Sequence, residues 1–406
     1  MKRFTRREMV TGASLVAVLA TLAVAERTLA QRAANEQTVQ APRFEVDPFW
    51  PKPMPNHWLL GNTIGVTVDA QDNVWLVHRG AANLNNDERG LELKIAECCQ
   101  AAPPVLVFDK SGKLTQSWGG PGQGFDWPAS NHGVFVDHTG NVWIGGNGPG
   151  DSHIVKFTRD GKFVAQYGKP NVRASGKNAQ GNPTFTAGSN DPENFGRVAK
   201  ITVDAKANEA YIADGYLNHR VAVLDAASGK MKRYWGAYGA KPDDTPLGPY
   251  DPAAPPAKQF RNPVHCADLS NDGLLYVCDR VNDRIQVFKP DGSFVSEVFL
   301  AKNTKAAGSV WDIAFSKDPQ QRFIYVADGQ NNRTHIVERN GMRYLTSFGD
   351  GGRYPGQWFG VHSIAVDSQG NIYTTETYEG KRVQKFVFRG LGPIPGESQG
   401  APWPQR

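Results

Sequence analysis

Short segments in which apolar and polar residues alternate follow one another along most of the chain, parted by clusters of Asp, Asn, Ser and Gly. A period of two, rich in β-branched and aromatic residues, predicts half-buried strands, and the clusters predict tight turns. The strands obey a larger rhythm. Six copies share the order strand, Asp/Asn/Gly turn, strand ending in Asp or Arg, strand, Asp-Gly or Ser-Gly turn, and strand ending in an aromatic residue and Gly. The first copy runs from Ile64-Gly-Val-Thr-Val-Asp69 through Val74-Trp-Leu-Val77 and Val105-Leu-Val-Phe108 to Gln116-Ser-Trp-Gly119. The others begin at His132, Ala199, His265, Trp311 and His362.

Repeats of four strands spaced by tens of residues predict a β-propeller. The expected fold is all-β, with six blades. A β-sandwich, the other arrangement considered, would not repeat its turn chemistry this regularly. The sixth copy has only three strands, from His362, Ile372 and Val383. Phe44-Glu-Val-Asp-Pro-Phe-Trp50 is the expected fourth, an N-terminal strand that closes the ring and leaves no raw sheet edge. The motifs Asp214-x-x-x-Asn218-x-Arg220, Asp279-x-x-Asn282-x-Arg284 and Asp328-x-x-Asn331 resemble NHL repeats. The propeller is expected over 57–390, preceded by a segment, 31–56, that holds the closing strand and followed by a tail, 391–406.

Three insertions interrupt the pattern. Gly80–Pro104 separates strands two and three of the first blade and contains a predicted short helix over Gly90–Cys99. Lys169–Gly196 and Ala237–Pro263 link successive blades. In a propeller such links emerge on the face where the inner strands begin, and long loops over a rigid scaffold are where binding usually sits.

Residues 1–30 change the reading of charge and location. Arg6-Arg7 follows Thr5, an apolar run extends from Val10 to Ala25, and Thr28-Leu29-Ala30 offers a cleavage site, the pattern of an export signal. The twin arginine resembles a Tat signal, which carries folded proteins; an ordinary Sec signal and an uncleaved anchor are the alternatives. The expected destination is the periplasm or the exterior. This segment holds five basic and two acidic residues, so the chain's net +5 leaves only +2 for the remainder. With no basic stripe, nucleic acid is not an expected partner. No later apolar run reaches about 18 residues, so no span is expected in the mature chain. Cys266 and Cys278 flank the turn Ser270–Gly273 of one predicted hairpin, a placement open to a disulfide or to two small buried hydrophobes; the state of Cys98 and Cys99 is open.

The chain has nine histidines, and three share one register of the repeat: His132 in NHGVFVD, His265 in PVHCADL and His362 in GVHSIAVD. They occupy alternate blades, which lie about 120° apart on a six-blade ring. Their counterparts in the odd blades, Ile64, Ala199 and Trp311, offer no ligand side chain. Three imidazoles aimed at one axis make a metal site with an open position. Zinc is the expected ion; imidazole also suits iron and copper. The bland alternative is three polar residues that bind water in a channel. The second strands end on the same face with Arg79, Tyr216 and Arg280, and with Asn147, Gln330, Thr377 and Tyr378 in the other blades. A tyrosine beside a metal and a cation is expected to ionise below its usual pKa of about 10 and act as a base. Arginines that merely hold loops are the alternative.

On these motifs the chain resembles the peptidylglycine α-amidating lyase family over about residues 60–390. The resemblance implies catalytic zinc on His132, His265 and His362. It implies a catalytic Tyr216 in Asp214-Gly-Tyr-Leu-Asn-His-Arg220, a catalytic Arg79 in Arg79-Gly80 and an active-site Arg280 in CDRVNDRI. It also implies a structural calcium helped by an Asp directly after the third histidine; Ser363 stands there and argues against that ion. The implied activity is carbon–nitrogen cleavage of peptidyl-α-hydroxyglycine to an amide and glyoxylate, with a small-molecule or peptide-like substrate. A metal-dependent hydrolase of the lactonase type, expected to use carboxylates, and a non-enzymatic NHL binding platform are the rival readings.

Overall fold

The computed structural model describes residues 22–28 and 39–394. The expected signal falls mostly outside the described residues, as does all but the start of the expected tail. Six four-stranded antiparallel sheets form a six-bladed β-propeller. The inner strands are Thr63–Val68, Asn131–Val136, Val198–Asp204, Val264–Leu269, Asp312–Phe315 and Val361–Val366. Each packs against the next, and the sixth against the first.

Turn chemistry recurs as the repeat requires. Asp69 accepts the main-chain N–H groups of Gln71 and Asn73 with one carboxylate oxygen and the Trp75 indole N–H with the other. Asp137 does the same for Thr139, Asn141 and Trp143. In these two blades the inner hairpin is thus tied to a wholly buried indole. The apolar core is not one mass. It consists of six wedges between neighbouring blades, for example Trp75, Val105, Val134 and Ile144 between the first and second.

The ring closes through Gln40–Asp47, which pairs antiparallel with Val383–Pro393 as the outer strand of blade six. The strand starts earlier than the expected Phe44 and stops before Pro48, which has no N–H to give the ladder. Trp50, beyond that stop, packs instead between blades six and one. The helix predicted over Gly90–Cys99 does not form. Lys94 takes a left-handed φ of 59°, and Leu91 N–H bonds to the Cys99 carbonyl, folding the segment back on itself. Trp58–Leu59 pairs with Gln100–Ala101 and anchors the far end of that insertion. Cys266 and Cys278 face each other across their hairpin as a disulfide, and Cys98 is bonded to Cys99. No helix among the described residues is long and apolar enough to cross a membrane.

Phe44 is 5% exposed, with its ring centroid 5.3 Å from those of Tyr325 and Phe348. Phe44→Ala is expected to cost about 3–5 kcal/mol in urea unfolding. Phe49→Ala, at a side chain 75% exposed, should stay within about 0.5 kcal/mol. Equal small losses would show that the N-terminal strand is not an integral part of blade six.

Candidate metal centre

His132, His265 and His362 are each the second residue of an even blade's inner strand. Equal register on a closed ring brings them together. Their ring centroids are 4.8, 4.9 and 5.1 Å apart, and each residue is 2% exposed. One nitrogen from each lies within 4.8 Å of the others.

The odd blades, which offer no ligand side chain, orient the rings. His132 Nδ1 donates to the Ala199 carbonyl at 2.7 Å, His362 Nδ1 to the Ile64 carbonyl at 2.7 Å, and His265 Nδ1 to the Trp311 carbonyl. A carbonyl only accepts, so each Nδ1 carries the hydrogen and each Nε2 carries a lone pair. Fixing the second nitrogen in this way is how proteins aim a ligating imidazole. Around His132 the strands approach closely enough to require glycine at two positions. A Cβ on Gly133 would lie 2.6 Å from the Ala199 oxygen, and one on Gly65 would lie 2.6 Å from the His132 oxygen. Burial lowers the pKa of all three imidazoles. For His362 burial comes first and Arg79 and Arg280 add to it, down to about 3. They are neutral near pH 7, as ligands must be.

Tyr216 sits over this triangle. Its hydroxyl is 2.9 Å from Nε2 of both His132 and His265. One phenolic proton cannot satisfy two such lone pairs and leaves the cluster electron-rich, so the donor set fits a cation. Gly215 lets Tyr216 reach this point, because a Cβ there would strike the Val264 backbone of the strand that carries His265. The expectation of a lowered phenol pKa is not met by the protein's own groups. Burial is the largest influence and raises it, with Arg280 and Arg79 pulling against it.

The arginines fall into two kinds. Arg220 is wholly buried and bonds the Asp214 carboxylate and the carbonyls of Ser189, Asp191 and Asn194. Arg284 bonds Asp279 in the same way. These clamps, with Asn218 and Asn282 on the same carboxylates, are the NHL motifs, and they hold the loops that bear Tyr216 and Arg280. Arg79 and Arg280 behave differently. Arg79 donates to the Asn147 side chain at 2.8 Å, and Arg280 donates to the Tyr216 hydroxyl at 3.2 Å and lies 4.4 Å over the Trp311 ring. The Nε of each is buried without a partner. Two half-buried guanidiniums, each with an unused Nε donor, suit an anion.

Of the other strand-end residues, Asn147 joins the site through Arg79. Gln330 turns away to the Ala307 N–H, and Tyr378 is 55% exposed. The carbonyls of Ile64, Ala199 and Trp311 and the Trp311 platform are functional parts that side-chain chemistry alone does not reveal; shared register is the signal that could. The calcium implied by the resemblance does not fit. Ser363 Oγ lies 3.4 Å from His362 Nδ1, and the neighbouring carboxylates of Asp268 and Asp312 are bonded to the Lys200 ammonium.

No family model matches the chain. It is 26% identical over 301 residues to NHL repeat-containing protein 3 of Mus musculus, covering 72% of this chain and 66% of that protein. It is 26% identical over 284 residues to peptidylglycine alpha-amidating monooxygenase of Rattus norvegicus, covering 68% of this chain. The chain spans only 25% of that monooxygenase. Among solved structures, a streptogramin B lyase aligns with a TM-score of 0.50 at 15% identity, covering 85% of this chain and 98% of that one. At that identity the likeness concerns the fold alone.

His78, beside Arg79, is wholly buried. Its Nδ1 accepts the N–H groups of Gly61 at 3.1 Å and Gly80 at 3.0 Å, and its Nε2 donates to the Pro103 carbonyl at 2.9 Å. Burial depresses its pKa to about 4. Its contribution to stability is therefore full above the unfolded value of about 6.5 and declines as pH falls toward 4. Urea unfolding of the wild type should weaken between these pH values more steeply than that of His78→Gln. Parallel curves would refute the assignment.

Proposed function

We propose that His132, His265 and His362 hold a catalytic zinc ion and that the chain is a carbon–nitrogen lyase. The substrate class is an α-hydroxylated amide bearing a carboxylate, of the peptidyl-α-hydroxyglycine type, which yields an amide and glyoxylate. The observation that carries this reading is the Tyr216 hydroxyl, 2.9 Å from two ligand nitrogens and 3.2 Å from Arg280. The similarity to peptidylglycine alpha-amidating monooxygenases supports the substrate class.

An all-imidazole donor set with an open position favours zinc over the alternatives iron and copper. Zinc bound there would lower the pKa of the substrate hydroxyl. Arg280 and Arg79, with the same bound cation, would offset the rise that burial imposes on the Tyr216 phenol, and Tyr216 as phenolate is placed to take that hydroxyl's proton. The oxygen's electron pair then forms the carbonyl as the C–N bond breaks, and Tyr216 returns the proton to the departing amide nitrogen. Atoms and electrons balance without water or an oxidant. Arg280 binds the substrate carboxylate, and Arg79 offsets charge on Tyr216. Asp214, Asp279 and Glu376 are bonded to Arg220, Arg284 and Arg382 respectively, so none of the three is free to serve as the base a hydrolase would need. The two disulfides and the Arg6-Arg7 signal support a site of action outside the cytoplasm.

Zinc-loaded protein should convert α-hydroxyhippurate to equal amounts of benzamide and glyoxylate; no glyoxylate would count against the reading. Tyr216→Phe should lower kcat by about 10²–10⁴-fold with zinc content unchanged, and full activity would remove the base assignment. Arg280→Ala should raise KM more than it lowers kcat, and an unchanged KM would release Arg280 from substrate binding.

A further inference from the structure

Directly beneath the histidine layer, on the side away from the arginines, three blades meet at one ammonium group. Lys200 Nζ donates to Asp312 Oδ1 at 2.6 Å, to Asp268 Oδ1 at 2.9 Å and to the Ile313 carbonyl at 3.3 Å. Asp312 Oδ2 accepts the Ile364 N–H of blade six at 3.1 Å. The Asp312 side chain is 1% exposed and that of Lys200 is 15% exposed. A cavity of about 600 Å³ reaches Lys200 and Asp268 from the opposite face of the ring. The placement couples this cluster to the metal centre. Lys200 follows Ala199 and Asp312 follows Trp311, the residues whose carbonyls orient His132 and His265.

Two carboxylates and a main-chain carbonyl converging on one point form an oxygen set suited to a hard divalent cation. Cys266 lies close enough to join Asp268 and Asp312 in a ligand group, but its sulfur is committed to Cys278. We propose that Lys200 is a built-in cation that takes the place of a divalent ion in this channel, so that the ring beneath the metal centre is held together without calcium. Burial alone would lower the Lys200 pKa, but the facing carboxylates outweigh it and keep the amine charged. One ammonium balances one carboxylate, and burial raises the pKa of Asp268, which limits the excess negative charge. The inference does not depend on the reaction proposed above.

The test is calcium chloride titrated into zinc-loaded protein, read by calorimetry and by thermal unfolding. The wild type should show no binding, and millimolar calcium should not move its Tm. Lys200→Ala leaves two carboxylates facing each other, so its Tm should fall by about 5–10 °C. Calcium should then restore at least half of the loss, and Lys200→Ala with Asp312→Asn should not respond. Stoichiometric calcium binding by the wild type would overturn the proposal, as would a Lys200→Ala protein whose Tm ignores calcium. Lys200→Arg, which keeps the charge and serves if the alanine variant does not fold, should remain indifferent to calcium; a calcium requirement there would also overturn it.

Discussion

The site depends on one repeated hydrogen bond, from Nδ1 of each histidine of the triangle to the main-chain carbonyl that opens the next blade. His132 reaches Ala199, His265 reaches Trp311, and His362 reaches across the closure of the ring to Ile64. The bond acts in two directions. It fixes the tautomer and aims three lone pairs at the axis, and it joins blades two to three, four to five and six to one. The rigidity of the sheets therefore becomes the rigidity of the ligand triangle. A slip of one residue in any inner strand would turn a histidine out of the channel and its partner carbonyl out of line.

A second division of labour concerns charge. Arg220 and Arg284 use their donors on buried carboxylates and loop carbonyls and hold the second-strand ends in place. Arg79 and Arg280, on loops of that kind, keep donors in reserve. The same residue type thus provides scaffold where a carboxylate faces it and binding capacity where none does. The half-buried reserved cations beside neutral imidazoles suit the mouth to the carboxylate of the proposed substrate. Lys200 and its two carboxylates supply the opposite balance on the far side of the histidines.

Much of this was legible from the chain because propeller geometry converts register into position. Six copies with a histidine in every second one define blade number, three-fold symmetry and the face of the site without any long-range contact being known. The D-G-Y and C-D-R segments place Tyr216 and Arg280 for the same reason. Other features depend on contacts between blades and were not legible. The backbone carbonyls that orient the ligands have no side-chain signature. Lys200 meets Asp268 and Asp312 only when three blades converge. Gly90–Cys99 carries residues that favour a helix, but the left-handed turn at Lys94 and the Cys98–Cys99 bond impose another shape. Pro48 could have marked where the closing strand stops, since it cannot extend a ladder.

The central claim is that alternate blades build one metal site from three neutral imidazoles. Metal analysis of the purified protein, alongside His132→Ala, His265→Ala, His362→Ala and the triple variant, tests it most directly. The account predicts one tightly bound zinc per chain in the wild type, a large loss of zinc in each single variant and no bound zinc in the triple variant, with the propeller still folded by circular dichroism. Unchanged metal content in the triple variant would contradict it.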